Sequence, residues 1–256
     1  MVVTRLAAGL CLAAGVALAA QQPGAPPAKP DSPEVKQLIE QVRKDAGPRW
    51  AYAVHFWCEE PRANRQDDPV IPPTKIFDNV YAIGNSGTTV YVIRTSAGLL
   101  MIDALGAGDA TATTTQLESQ LLPGFQKLGD LKVTPVAVPG HTPGSMGFIF
   151  PVKDNGTAHT AGLYGGVWLT PGILSDDALQ TYLASVKRFQ DATSRAKVDV
   201  ILQNHMLMDP ILPKVEALVA RKRGEPNPFV VGAAEYQKCL GVMDGCTRVN
   251  LARRAS

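Results

Sequence analysis

The stretch Pro139-Gly140-His141-Thr142-Pro143-Gly144-Ser145 decides the fold. Two prolines and two glycines in seven residues predict a tight loop that projects the imidazole of His141. Strand-like runs at 131–138 and 145–152 lie on either side of this loop. A loop held between two strands is a common way to present a metal ligand. A turn histidine bonded to the backbone would give the same pattern, so this spacing alone leaves both interpretations open.

Two more polar side chains stand at predicted strand ends. His205 follows the buried-type strand 197–202, and Asp103 ends the strand 98–103. Such positions are suited to placing a ligand, but a histidine that caps a strand end is an equal alternative for His205. Asp103 either accepts hydrogen bonds from loop backbone or faces a site.

Other candidate residues have weaker positional support. His55 and Trp57 lie in the irregular stretch 49–73, and together with Ser145 they are candidates for lining a pocket. For His55 and Trp57 an ordinary packed surface loop is the alternative interpretation. His159 follows an Asn-Gly turn and is expected to be solvated.

Hydrophobic periodicity predicts a mixed, layered α/β domain. The remaining predicted strands are 75–84 and 88–95. The predicted helices are 33–45, 110–122, one capped by Ser175, one from Asp209 to Gly224, and one near 232–240.

Composition limits the classes of partner. The chain has 25 Lys and Arg against 23 Asp and Glu, and 45% of its residues are hydrophobic. A net charge of +2 does not supply the concentrated basic surface that nucleic-acid binding needs. We therefore expect a small-molecule substrate or ligand and no nucleic acid. The sequence does not specify an oligomeric state.

The N-terminus has the pattern of a secretory signal. Arg5 precedes an apolar stretch at 6–20, which at 15 residues is shorter than the roughly 20 that cross a bilayer. We expect cleavage after Ala19, a flexible leader at 20–32, and a single domain at 33–256. The product would be periplasmic or secreted, with no membrane span after signal removal. An uncleaved anchor is the alternative.

Export favours disulfide formation among the three cysteines that follow the signal. Cys239 and Cys246 are separated by a segment with two glycines, which permits a turn, so we expect them to be bridged. Two unrelated reduced thiols are the alternative. Cys58 would then be a buried thiol or, less simply, a metal ligand.

The order of three motifs resembles the metallo-β-lactamase superfamily. The motifs are the hairpin ending in Asp103, the loop 139–145 and the late strand-end histidine, His205. The segments 50–69 and 75–103 look most like the third subclass of class B β-lactamases, and the resemblance covers roughly 33–250. It implies an αββα sandwich with a zinc site at the sheet edges. It also implies that His141 is a ligand of the first zinc and His205 of the second, with Asp103 supporting the site.

One departure from the family pattern affects function. Relatives carry a His-x-His-x-Asp-His signature between the aspartate strand and the histidine loop, but here the interval 104–140 contains no histidine. The Gly129–Asp130 join resembles the scar of an internal deletion, so the sandwich is expected to be incomplete in its first half. Two imidazoles are fewer than the three protein ligands of a catalytic zinc.

We therefore expect weak or partial zinc binding, and little or no hydrolysis of β-lactams. No catalytic residue is assigned. Asp103, His55 or Cys58 acting as a substitute ligand is one alternative. A non-catalytic variant that binds a ligand or partner, or a truncated product without a selected function, are two others.

Overall fold

The computed structural model describes residues 30–59, 69–85, 87–103, 127–168, 174–205 and 209–255. The predicted signal 1–19, most of the leader, the predicted helix 110–122 and most of the histidine-free interval lie outside the described residues. Asp31–Ser256 form one compact unit. Asp31 pairs with Arg253 and Ser32 caps the first helix, so these two residues of the predicted leader belong to the folded unit.

The first sheet is antiparallel, and its strands follow chain order. The strands are β1 (Val70–Phe77), β2 (Val80–Asn85), β3 (Thr89–Thr95) and β4 (Gly98–Ile102). The single strand predicted at 75–84 is wrong, because the chain reverses at Asp78 and Asn79. The Asp78 carboxylate accepts hydrogen bonds from the amides of Asn155 and Gly156, at 3.0 and 2.9 Å. This reversal is therefore fixed by a distant turn.

The second sheet carries the histidine loop. A short hairpin, β5 (Lys127–Leu128) and β6 (Leu131–Lys132), precedes it. The sheet consists of β7 (Thr134–Ala137), β8 (Met146–Asp154), β9 (Thr157–Leu163) and β10 (Val200–Leu202). Its order is β10-β9-β8-β7, and only the β9–β10 pair is parallel. Strand β9 was not predicted from the sequence.

Five α-helices lie in the described residues, and serine caps begin two of them. The helices are α1 (Pro33–Ala46), α2 (Ala51–Val54), α3 (Asp176–Arg195), α4 (Ile211–Ala220) and α5 (Ala233–Ala255). A 3-10 turn at Pro48–Trp50 and a π-helical turn at His55–Glu59 flank α2. Ser32 and Ser175 accept hydrogen bonds from the amides of Val35 and Ala178, as N-caps do. Part of the stretch 49–73 is thus helical, where an irregular segment was predicted.

Two hydrophobic clusters hold the layers together. One lies between the helices and the second sheet and includes Trp50, Tyr182 and Met243. The other lies between the two sheets and includes Ile93 and Phe150. On the far side of the first sheet Leu99 is 69% exposed. The described residues therefore form a helix layer and two sheets. The side chain of Leu99 is an exposed apolar group on the outer face of the first sheet.

The predicted Cys239–Cys246 disulfide is wrong. The structure bonds Cys58 to Cys246, with the Cα atoms 4.8 Å apart, and leaves Cys239 as a buried thiol. Cys239 and Cys246 both lie on α5, which continues well beyond the predicted end at 240. Seven residues along a helix separate two Cα atoms by about 10.5 Å, which is too far for a disulfide. The bond also excludes Cys58 as a metal ligand.

The Gly129–Asp130 join forms the turn between β5 and β6. Gly129 has a φ of +60°, and a Cβ there would lie 2.5 Å from the Ser96 hydroxyl. The Asp130 carboxylate accepts the Ser96 amide at 2.7 Å, and this bond lowers the pKa of Asp130. The join is thus packed against the β3–β4 hairpin and requires glycine at position 129.

Candidate functional site

A cavity of about 280 Å³ opens where the ends of β4, β9 and β10 meet the β7–β8 loop. The structure brings Asp103, His141, Ser145 and His205 together around it. The other lining residues are Met101, Ile102, Thr142, Met146, Phe148, Leu163, Gly165, Gly166 and Asn204. Within the described ranges, the lining includes neither His55 nor Trp57.

The loop that carries His141 is held rigidly against α3. Gly140 has a φ of +137°, and a Cβ at this position would lie 2.6 Å from the Cα of Tyr182. The buried Ser185 hydroxyl donates to the Pro139 carbonyl at 2.7 Å. Because backbone of the loop touches backbone of the helix, the position of His141 is fixed before any ligand arrives.

The ring of His141 is oriented by a backbone carbonyl. Its Nδ1 donates to the carbonyl of Trp168 at 2.6 Å, so the neutral ring carries its lone pair on Nε2. Gly166 makes room for this arrangement, since a Cβ there would lie 2.9 Å from the Cβ of His141. Metal-binding histidines characteristically donate their second ring nitrogen in this way.

His205 shows the same orientation with a different carbonyl. Its Nδ1 donates to the carbonyl of Gly87 at 2.7 Å, which again places the lone pair on Nε2. The neighbouring Asn204 carbonyl accepts the Thr89 amide at 2.7 Å. The start of β3 in the first sheet therefore positions a histidine that follows β10 in the second sheet.

Tyr91 stabilises the same strand end at Gln203, two residues before His205. Its hydroxyl donates to the carbonyl of Gln203 at 2.8 Å and accepts from the Gln203 amide at 3.1 Å. Burial raises the pKa of Tyr91, so the phenol stays protonated and can make both bonds. Sequence reasoning missed Tyr91 because its partner lies 112 residues away.

We expect Tyr91→Phe to lower the free energy of unfolding by about 2 kcal/mol, because the change leaves both backbone groups of Gln203 buried without this partner. Urea unfolding measures the effect, with Tyr52→Phe at an exposed position as the control. Equal stability of the two variants would show that the phenol does not hold this strand end.

The remaining predicted residues lie elsewhere. His55 is half exposed and its Nδ1 lies 3.0 Å from a Glu59 carboxylate oxygen. Trp57 is buried in the helix layer, so it lies neither at this cavity nor on a surface loop. His159 is not simply solvated, since its Nδ1 lies 2.7 Å from the Asp199 carboxylate.

The described residues around the cavity do not fit a catalytic zinc centre. Two imidazoles have the orientation of ligands, but the described residues contain no group of three His, Cys, Asp or Glu side chains that could hold a metal ion. A catalytic zinc is usually held by three protein ligands and keeps a fourth position for water. The described part of the chain therefore offers two imidazoles at this cavity where a catalytic zinc needs three protein ligands.

Comparisons with known proteins show the fold. No protein-family profile matches the chain, and no curated protein does. Among solved structures, BJP-1 of Bradyrhizobium japonicum, described as a subclass B3 metallo-β-lactamase, is 19% identical with a TM-score of 0.53. The match covers 73% of this chain and 97% of BJP-1. The chain has the metallo-β-lactamase fold. The α/β fold class predicted from hydrophobic periodicity is thus confirmed, as is the metallo-β-lactamase-like fold that the three motifs implied.

Two more solved structures give similar values. A mutant of the FEZ-1 enzyme of Legionella gormanii is 18% identical with a TM-score of 0.55, covering 74% of this chain and 99% of FEZ-1. A β-lactamase of Chitinophaga pinensis is 18% identical with a TM-score of 0.50, covering 76% and 99%. At these identities the likeness concerns the fold, and the metal roles of His141 and His205 and the supporting role of Asp103 stay predictions.

Proposed function

We propose that this chain is an exported protein of the metallo-β-lactamase hydrolase superfamily with an incomplete zinc centre. One observation carries the proposal: two imidazoles, each fixed through Nδ1 by a backbone carbonyl, line one cavity without a third ligand among the described residues. The likeness to BJP-1 and FEZ-1, which are metallo-β-lactamases, supports a cyclic amide as the substrate class from which this chain descends. Hydrolysis of β-lactams by this chain is near the uncatalysed rate.

The polar groups of the cavity are suited to holding a substrate rather than activating water. The Ser145 hydroxyl accepts the Thr142 amide at 3.2 Å and lies 2.8 Å from the Thr142 hydroxyl. Asn204 also lines the cavity. These groups can bind carbonyl or carboxylate oxygens. A zinc ion supplies hydroxide at neutral pH when its ligand set is complete, and two imidazoles do not complete it.

Export is supported by the cysteines and by the N-terminal pattern. A buried disulfide between Cys58 and Cys246 suits an oxidising compartment. In the described residues no helix is long and apolar enough to cross a membrane. Together with the signal pattern around Arg5, this disulfide supports our proposal of a periplasmic or secreted protein.

Steady-state turnover of a chromogenic cephalosporin tests the hydrolase proposal. We expect the purified protein to hydrolyse it near the uncatalysed rate with added zinc, and a chelator to change nothing. His141→Gln should match the parent protein, as should the control His159→Gln, whose position lies outside the cavity lining. Chelator-sensitive turnover on the order of the ~10 s⁻¹ typical of enzymes would show that further residues complete the metal site.

A ligand-binding role without catalysis is the second candidate. It is favoured by the cavity itself, which keeps about 280 Å³ and its polar groups although the zinc ligands are incomplete. Aggregation of the purified chain, without ligand binding or turnover, would favour a truncated product instead.

A further inference from the structure

We infer that the cavity is a binding site for monovalent copper, held by Nε2 of His141, Nε2 of His205 and the thioether of Met146. Copper binding at this cavity does not depend on hydrolysis, because a Cu(I) site needs no bound water. The donors among the described residues differ from the set that a catalytic zinc requires.

The sulfur donor comes from the first residue of β8. Met146 and Phe148 both line the cavity, and strand alternation places them on the same face of the second sheet. Phe148 belongs to the cluster between the sheets, and Met146 packs against that cluster. Met101 also borders the cavity, but it alternates with Leu100 and Ile102, which are buried between the sheets. Its side chain is therefore directed to the other face, and we do not count it as a ligand.

The chemical types of the three donor atoms, two imidazole nitrogens and one thioether sulfur, favour copper over zinc. Thioether sulfur favours Cu(I), and imidazole suits copper as well as zinc. Zinc sites in proteins are built from thiolate, imidazole and carboxylate ligands, so a thioether does not replace the ligand that zinc lacks among the described residues. A set of two imidazoles and one thioether is thus matched to monovalent copper rather than to a divalent hard ion.

The walls of the cavity favour a low ionic charge. Ile102, Phe148 and Leu163 contribute apolar surface to the lining. Removing an ion from water into such surroundings is costly, and that cost rises steeply with charge. A monovalent ion loses less hydration than a divalent one, so these apolar walls favour the lower charge.

The two imidazoles are already oriented for binding. The carbonyls of Trp168 and Gly87 hold them at 2.6 and 2.7 Å, and these carbonyls belong to different parts of the fold. Binding therefore immobilises little that is still free to rotate, which lowers its entropic cost.

The test is a competition titration of the metal-free full chain with Cu(I) against a chromophoric Cu(I) chelator, without oxygen. We expect one Cu(I) per chain and an affinity about tenfold or more weaker in Met146→Leu, His141→Gln and His205→Gln. Met243→Leu, at a buried methionine of α5 outside the cavity lining, is the matched control and should bind like the parent. X-ray absorption should show a sulfur neighbour of copper that is lost in Met146→Leu.

Met→Leu substitutions keep side-chain volume and cost little stability, so both variants should fold, and circular dichroism verifies this. Absence of Cu(I) binding overturns the inference. So does unchanged affinity in Met146→Leu, or preferential binding of Zn(II) over Cu(I). The copper titration and the cephalosporin assay have independent outcomes. A chain that binds no copper could still hydrolyse cephalosporin or leave it intact.

Discussion

Loss of the Cys58–Cys246 disulfide is expected to lower the free energy of unfolding by about 3–5 kcal/mol. The two cysteines are 188 residues apart, so the bond closes most of the folded chain into one loop. In the chain-entropy model, a bond that closes a long loop removes the most freedom from the unfolded state. Both cysteines are fully buried, so the bond also joins the π-helical turn to α5 inside the helix layer.

The measurement is urea unfolding of the oxidised protein and of the Cys58→Ala/Cys246→Ala double variant. Cys239→Ala is the control, because it removes a buried sulfur of the same helix without opening a covalent loop. Peptide mapping without reduction should join the peptides of Cys58 and Cys246. A bridge to Cys239, or equal stability of the double variant and the control, would contradict the pairing in the structure.

The wrong pairing has an identifiable cause in the sequence. Gly241 and Gly245 between the two cysteines suggest a turn, but both lie inside α5. Gly245 is needed for packing, since a Cβ there would lie 2.4 Å from a methyl group of Val42 on α1. A glycine that permits close helix contact cannot be distinguished from a turn glycine by local sequence alone.

The site was predictable to the extent that it depends on local sequence. The proline- and glycine-rich loop of His141 and the strand that precedes His205 have recognisable patterns, and both histidines do line one cavity. The groups that orient them are not local. The carbonyls of Trp168 and Gly87 lie 27 and 118 residues from the rings they hold. Every residue has a backbone carbonyl, so no sequence motif identifies the carbonyl that orients a given ring.

The strands, too, were predictable where they depend on local sequence and were missed where they depend on distant contacts. Alternation of apolar residues predicted β3 and β4 closely, because each buries one face in the sheet core. The split between β1 and β2 was missed, since the turn at Asp78 is stabilised by amides of Asn155 and Gly156 more than 70 residues away. Contacts of that range are made only once both sheets are in place.

Gly140→Ala should lower the free energy of unfolding by about 3–5 kcal/mol, because it combines backbone strain with a clash. The new Cβ would lie 2.6 Å from the Cα of Tyr182, and neither backbone can move without shifting α3 or the loop of His141. Since the loop is the more easily displaced of the two, the imidazole of His141 should move away from the Trp168 carbonyl.

Gly98→Ala is the matched control for this prediction. Gly98 has a φ of +133°, close to the +137° of Gly140, but a Cβ there would meet no atom within 4 Å. The control therefore reports the strain of a positive φ alone, about 1–2 kcal/mol, and the difference between the two variants reports the backbone contact. Urea unfolding gives both values. If the two alanine variants are equally stable, the contact between the loop and α3 does not hold His141, and its position must be fixed by the Trp168 carbonyl instead.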